Sequence, residues 1–292
     1  MITKGVIPAA GFGTRFLPVT KSQPKEMLPI VDTPTIQYVV EEAVSSGITD
    51  ILMIIGRGKR AIEEHFDRSF ELEQQLQEQN KLEELEKIRS ITKLANIHFI
   101  WQKELNGLGD AIRYAAHHVN KEPFAVLLGD TLIEGTEQPI TKQMMKVFNT
   151  YRSSVVALEK VDPELVSRYG IIGGDLISEK IYKLTSLVEK PDKAHAPSNL
   201  AIASRYIFTP EIFNCLNRLK PGKNNELQLT DAMQLMLKEQ PIYGLQFEGR
   251  RHDIGNKLDF LKTNVLYGLK REDLAEEFKD WLIGLVKSME IK

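Results

Sequence analysis

Through its first half the chain alternates short, β-rich apolar runs with helical patterns. The runs fall at residues 4–8, 51–55, 97–101, 124–128 and 154–158. That alternation predicts an α/β fold in which a parallel central sheet is covered by helices. The first helix is expected to take Thr33 as N-cap and Pro34 as its first residue. Ile36, Val39, Val40, Ala43 and Val44 then share one face, and Gly47 ends it. Residues 70–90 are dense in Glu, Gln and Lys, with Leu72, Leu76, Leu82, Leu85 and Ile88 as sparse apolar points, and they read as a solvated surface helix. After Tyr169 the pattern is less regular. Residues 272–289 place Leu274, Phe278, Trp281 and Leu285 on one helical face, a stripe that must pack on its own domain or on a neighbouring subunit. No internal repeat or disordered linker interrupts the chain, so one continuous unit with a carboxyl-terminal extension is expected.

Bulk chemistry removes several functional classes. With 38 Lys and Arg against 40 Asp and Glu, no global positive field gathers nucleic acid or an anionic membrane, so any anion must be held by a local cluster. Cys215 is the only cysteine, which excludes an intrachain disulfide framework and any Cys-x-x-Cys zinc site and suits a reducing compartment. No signal pattern is visible at the amino terminus. No apolar run approaches the roughly 20 residues that span a bilayer. A cytoplasmic protein without nucleic-acid or membrane partners is the expectation.

The segment AAGFGTRFLPVTKSQPKEMLP, residues 9–29, follows the first apolar run. In an open α/β sheet ligands collect beyond the carboxyl ends of the strands, where this loop must lie. Gly11 and Gly13 let backbone N–H groups approach an anion, and Arg15, Lys21 and Lys25 can surround several phosphate oxygens, so the composition is that of a polyphosphate site. Two familiar phosphate loops do not fit: Phe16 stands where G-x-G-x-x-G needs its third glycine, and G-x-x-x-x-G-K-[ST] is absent. A looser G-x-G-x-x-A form at Gly56, Gly58 and Ala61 lies between a strand and a helix, and alone would suggest a nicotinamide-dependent dehydrogenase. It carries Lys59 and Arg60 inside it and is not on the first strand.

The segment GFGTRFLPVTKSQPKEMLPIVDTPTIQY resembles the signature of bacterial UTP–glucose-1-phosphate uridylyltransferases, the UDP-glucose pyrophosphorylases, within the sugar-nucleotidyltransferase family. GRGKRAIEEHFD, GLGDAI, FAVLLGD, YGII, LVEKP, SNLAIASRYIF, ELQLTDA and DIGNKLDFLK match in the same order and cover nearly the whole chain. The resemblance implies a Rossmann-like, mostly parallel sheet flanked by helices, of the nucleotide-diphospho-sugar transferase type, with a small carboxyl-terminal helical extension. It divides the single domain, 1–292, into a nucleotide-binding half to about 165, a sugar-phosphate half over about 166–270 and a terminal helix over about 271–292.

It further implies displacement at the α-phosphate of UTP by glucose 1-phosphate, giving UDP-glucose and pyrophosphate. The same chemistry on dTTP or galactose 1-phosphate, or a catalytically weak UDP-sugar-binding paralogue, are the alternatives. The nucleophile is already an anion, so the protein's task is to align two repelling anions and neutralise charge, and no triad is needed. Arg15, Lys25 and Lys190 are the expected catalytic cations. Asp130, closing an apolar strand, and Asp253, after another, are the expected ligands of Mg²⁺, which prefers one or two carboxylates plus phosphate oxygens. Ala9, Ala10, Gly11, Gln102, Gly107 and Gly109 are expected to meet the base, with Glu26 nearby; the Gln102 amide offers it both donor and acceptor. Glu189 is expected on the sugar hydroxyls, Gly170 under the hexose and Asn199 at the sugar or its phosphate. Glu189 and Lys190 are adjacent on a strand, so their side chains leave opposite faces unless the strand bends at Pro191. A homodimer or homotetramer is expected. The family pattern usually has a histidine at Asp110, a glycine-rich stretch at Lys223, Asn224 and Asn225, and glycines near Ser204 and Asp259. Asp110 beside a triphosphate would add repulsion unless it turns away or meets a cation.

Overall fold

The computed structural model describes residues 2–222 and 225–290; Lys223 and Asn224 lie outside them. Thirteen strands occur among the described residues: β1 (Lys4–Ala9), β2 (Pro29–Ile30), β3 (Thr33–Pro34), β4 (Asp50–Ile55), β5 (Asn96–Trp101), β6 (Phe124–Leu127), β7 (Thr131–Gly135), β8 (Val155–Lys160), β9 (Gly170–Ser178), β10 (Ile181–Glu189), β11 (Leu200–Phe208), β12 (Tyr243–Gln246) and β13 (Gly249–Asp253). The helices are α1 (Thr35–Ser45), α2 (Arg60–Phe66), α3 (Phe70–Glu78), α4 (Leu82–Thr92), α5 (Leu108–Arg113), α6 (Ala116–Val119), α7 (Ile140–Tyr151), α8 (Ile212–Arg218), α9 (Leu229–Met236), α10 (Lys257–Gly268) and α11 (Ala275–Glu290).

Nine strands form one sheet in the order β5-β4-β1-β6-β11-β8-β12-β10-β9. The block β5-β4-β1-β6 is parallel, as the early alternation predicts. Beyond it the order is mixed: β11 runs antiparallel to β6, β8 and β9, while β12 is parallel to β8. Alternate residues of each central strand feed two separate cores. Ile7, Ile51, Met53 and Ile55 pack on one face beneath α1 and α7, and Val6, Leu52 and Ile54 on the other with α5, α8 and α9. Burial on both faces explains the continuous apolar runs. Each such side chain contributes about 1.5–3 kcal/mol.

Helix α1 begins one residue later than the capping signal suggests. Thr33 and Pro34 pair with β2 in a small ribbon, and Thr35 takes over the junction, its Oγ1 donating to the Leu28 carbonyl at 2.8 Å. Residues 70–90 are two helices, not one: Asn80, at φ +55°, turns the chain between α3 and α4. Glu73 on α3 is buried and accepts from Arg68 and from Arg89 of α4, whose guanidiniums hold its carboxyl well below the usual range. The terminal stripe is only partly covered. The Phe278 ring packs on Gly268, whereas Leu274, Trp281 and Leu285 remain exposed.

Candidate active site

The order of chain travel reverses at β1: β4 and β5 add on one side of it, β6 on the other. At such a switch point the loops leaving the strand ends part and open a crevice. The residues that leave here include Ala10–Gly13 after β1 and Leu128 and Asp130 after β6. They line a cavity of about 600 Å³. Ala9, Ala10, Gly11, Gly13, Lys25, Glu26, Gln102, Gly107 and Asp130 all border it, so sequence reasoning gathered most of its wall. Lys21 is exposed on a short turn and does not line it. A larger cleft of about 720 Å³ contains Asp50, Asn96 and His98, at the amino ends of β4 and β5, the wrong end of a parallel sheet for ligand capture.

Charge is concentrated at the mouth of the switch point. Lys25 Nζ lies 2.5 Å from Asp130 Oδ2. Burial works against both charges, but each outweighs it for the other, so the lysine titrates above its usual value and Asp130 below. Gly255 marks where the second carboxylate arrives. A Cβ there would stand 3.0 Å from Asp253 Oδ1, 3.4 Å from Asp130 Oδ2 and 3.5 Å from Arg15 Nη1, so these three side chains meet around one glycine. Burial, and then the Asp130 charge, push the Asp253 carboxyl up. Strand β13 pairs with β7 so that Asp253 faces Thr131, the residue after Asp130. This ribbon, outside the main sheet, brings residue 253 to residue 130.

The turn bearing Asp130 is pinned from behind by Arg205. This side chain is fully buried; its Nη2 donates to the Thr131 carbonyl at 2.8 Å and to Glu42 Oε2 at 2.7 Å. Its neighbour Ser204 has φ +60°, and Asn225 has φ +58°, left-handed conformations that glycine adopts most readily.

Lys59 is a further participant that sequence reasoning missed. It is buried, and its Nζ sits 2.7 Å from Glu26 Oε2. Burial raises the glutamate and lowers the lysine, opposing both charges of the pair. The signal was a lysine inside the strand-to-helix turn GRGKR. That turn is taken up by packing on the first loop: a Cβ at Gly56 would come within 2.8 Å of the Ala10 carbonyl oxygen. With Lys59 also committed to Glu26, it is not an open dinucleotide cradle.

Elsewhere on the cavity wall, Gln102 Nε2 donates to Asp110 Oδ2 at 3.0 Å and reaches the Gly107 carbonyl at 3.5 Å. Asp110 therefore points to an amide and, at 3.6 Å, to Arg113, which removes the repulsion expected of it. Gly107 and Gly109 make room for protein. A Cβ on Gly109 would stand 2.7 Å from the Leu227 carbonyl, which accepts the Gly109 N–H at 2.8 Å.

The remaining expected residues form a second cluster. Strand β10 ends at Glu189, and Lys190 takes φ +47°, so the chain turns at Lys190 itself and not at Pro191. Both side chains then fall on one side, with Lys190 Nζ 3.1 Å from Glu189 Oε1. A left-handed lysine before a proline costs about 1–3 kcal/mol, and such strain concentrates at functional sites. Thr230, at the start of α9, donates to Glu189 Oε2 at 2.6 Å, and both flank Gly170. Its signal was ELQLTDA. Segment 226–230 joins the two clusters, with Glu226 on the cavity wall and Thr230 on Glu189. Asn199 Nδ2 donates to the Val161 carbonyl at 3.2 Å.

Among the described residues no group of three or more His, Cys, Asp or Glu could hold a metal by itself. Two carboxylates meeting at one glycine fit a hard divalent cation completed by phosphate oxygens. No helix among the described residues is long and apolar enough to cross a membrane.

Residues 4–268 match the family model described as nucleotidyl transferase. The chain is 47% identical over 290 residues to UTP–glucose-1-phosphate uridylyltransferase of Bacillus subtilis (strain 168), covering 99% of each. A crystal structure of UDP-glucose pyrophosphorylase complexed with UDP-glucose superposes with a TM-score of 0.86 at 44% identity, covering 93% of this chain and all of the other. The UTP-bound enzyme from Acinetobacter baumannii does so with a TM-score of 0.90 at 36% identity, covering 97% and 99%. The chain belongs to the nucleotidyl transferase family.

Proposed function

We propose that the protein joins UTP and glucose 1-phosphate to form UDP-glucose and pyrophosphate. The observation that carries this reading is the meeting of Arg15, Lys25, Asp130 and Asp253 at the switch point of the sheet. Similarity over nearly full length to relatives bearing that activity supports it.

A phosphate oxygen of the sugar phosphate bonds to the α-phosphorus of UTP as the α–β bridging bond breaks, and pyrophosphate leaves with that electron pair. The nucleophile needs no general base. Lys25 and Arg15 hold the triphosphate beside the Gly11–Gly13 loop and offset charge as it moves toward pyrophosphate. Asp130 and Asp253 would hold Mg²⁺, which when bound supplies charge neutralisation across the phosphates. Lys190 takes the sugar phosphate, Glu189 accepts from hexose hydroxyls with Thr230 fixing its carboxylate, and Gly170 gives the ring room. Asn199 contributes at the sugar or its phosphate. Gln102, with the Ala9–Gly11 backbone and Gly107, meets uracil; Glu26 and Gly109 act from behind this wall. A single catalytic unit, with a nucleotide half to about residue 165, a sugar half to about 270 and the terminal helix, fits this division. The exposed Leu274, Trp281 and Leu285 support a homodimer or homotetramer, which light scattering tests, and the composition supports a cytoplasmic site of action.

Pyrophosphate release measured over a matrix of nucleoside triphosphates and sugar 1-phosphates, with Mg²⁺, tests the reading. UTP with glucose 1-phosphate is expected to be fastest. Equal rates with dTTP would overturn uracil specificity, and tight UDP-glucose binding without metal-dependent turnover would overturn the enzymatic reading.

A further inference from the structure

The Gln102 amide is held by acceptors only. Its Nε2 faces the Asp110 carboxylate at 3.0 Å and the Gly107 carbonyl at 3.5 Å. Neither can donate, so the amide oxygen cannot take this position without setting oxygen against oxygen, one of them charged. The backbone of Gln102 is fixed as well, its N–H donating to the Ile55 carbonyl at 2.8 Å. Asp110 sets which way the amide at the end of the side chain faces. Oε1 is turned to the other side of the amide carbon. Gln102 itself borders the cavity, whereas Asp110 is buried behind it and does not.

We infer that Asp110 is a positioning residue for base selection: by capturing the Gln102 amide N–H, it leaves the cavity a single fixed acceptor, which admits a pyrimidine carrying N3–H and rejects one carrying a bare N3. The inference rests on the nucleotide reading given above and narrows it. Uracil presents a donor at N3. Cytosine presents a lone pair there, and a lone pair against Oε1 is an unpaired polar contact in a partly dry site, a penalty that hydrogen-bonding sites use to discriminate. Thymine also carries N3–H, so the device separates UTP from CTP and is blind to the difference between UTP and dTTP. The sequence expectation that the amide offers both donor and acceptor is thereby halved, because its donor is already in use.

Equilibrium binding of UTP, CTP and dTTP to the full chain, by calorimetry, tests this without needing turnover. In Asp110→Ala the amide keeps only the long 3.5 Å contact to the Gly107 carbonyl and can turn over, and the preference for UTP over CTP is expected to fall by about tenfold, through weaker UTP and stronger CTP binding. The ratio of UTP to dTTP is expected to stay unchanged. Asp110→Asn, which keeps an acceptor oxygen in a side chain of the same shape, is expected to restore part of the UTP preference, and stands in should the alanine variant fail to fold. A purely structural role would weaken all three nucleotides together, and that result overturns the inference. So does an unchanged UTP to CTP ratio in a folded Asp110→Ala. If the wild type binds no nucleotide, the underlying reading falls and this inference falls with it; if it binds UTP selectively and the variants keep that selectivity, only the inference falls.

Discussion

The two halves of the site are built on different principles. At the switch point, Lys25 and Asp130, 105 residues apart, meet because parallel strands β1 and β6 end side by side. Topology alone aims their loops into one crevice. At the Glu189–Lys190 corner, β10 runs antiparallel to both its neighbours, and no common strand direction collects the side chains. There a local exception does the collecting: Lys190 at φ +47° folds back beside Glu189, and Thr230 of α9 fixes the carboxylate. The first region should fail when a charge is removed, the second when a backbone conformation or a single hydrogen bond is changed.

Asp130→Ala is expected to have the largest effect, lowering kcat by about 10³-fold or more in a pyrophosphate-release assay, with the fold intact by circular dichroism. Near-normal turnover at any Mg²⁺ concentration would show that the cation is held elsewhere. Lys190→Ala should lower kcat/KM for glucose 1-phosphate by about 10²-fold and move the UTP requirement much less. Lys190→Gly should lose the same activity yet be more stable than the alanine variant by about 1 kcal/mol in urea unfolding, since glycine relieves the left-handed backbone. Equal stabilities would remove the claim that strain sets this corner.

Asp253→Asn sharpens the contrast through pH. The Asp253 carboxyl is raised in the fold, so the folded state binds its proton more tightly than the unfolded chain does, and stability falls as pH rises from the ordinary carboxylate range through the raised value. The asparagine variant escapes that loss. Its Tm at pH 7 should exceed the wild type's by about 2–4 °C, a gain that shrinks on acidification, while activity drops. Mg²⁺ should raise the Tm of the wild type and not of the variant. Smallest is Thr230→Val, expected to lower kcat/KM for the sugar phosphate by about fivefold by releasing Glu189, with UTP binding unaffected. A uniform fall for both substrates would place Thr230 in the scaffold instead.

How legible each group was follows the same division. Lys25, Asp130 and the Gly11 loop were readable because residue type, an apolar strand and its carboxyl end all pointed one way. Lys59 was not, since a lysine between a strand and a helix is usually solvated, and only packing shows it buried against Glu26. Asp110 looked like a liability, for its sign was visible in the sequence but its partner was not. The 70–90 segment read as one helix because the Glu, Gln and Lys on either side outweighed the one helix-ending signal, the left-handed Asn80 that divides it.

What the sequence determined by itself was the alternating architecture and the gathering of glycines and cations in the first loop, because these depend on periodicity and residue type within short windows. The tertiary structure alone decided which charges face which: Asp253 on Asp130, Lys59 on Glu26, Asp110 on Gln102, Lys190 on Glu189. Those pairings depend on strand order, on a ribbon outside the main sheet and on one unusual φ, and burial then turns a few ångströms of proximity into shifted titration and fixed orientation.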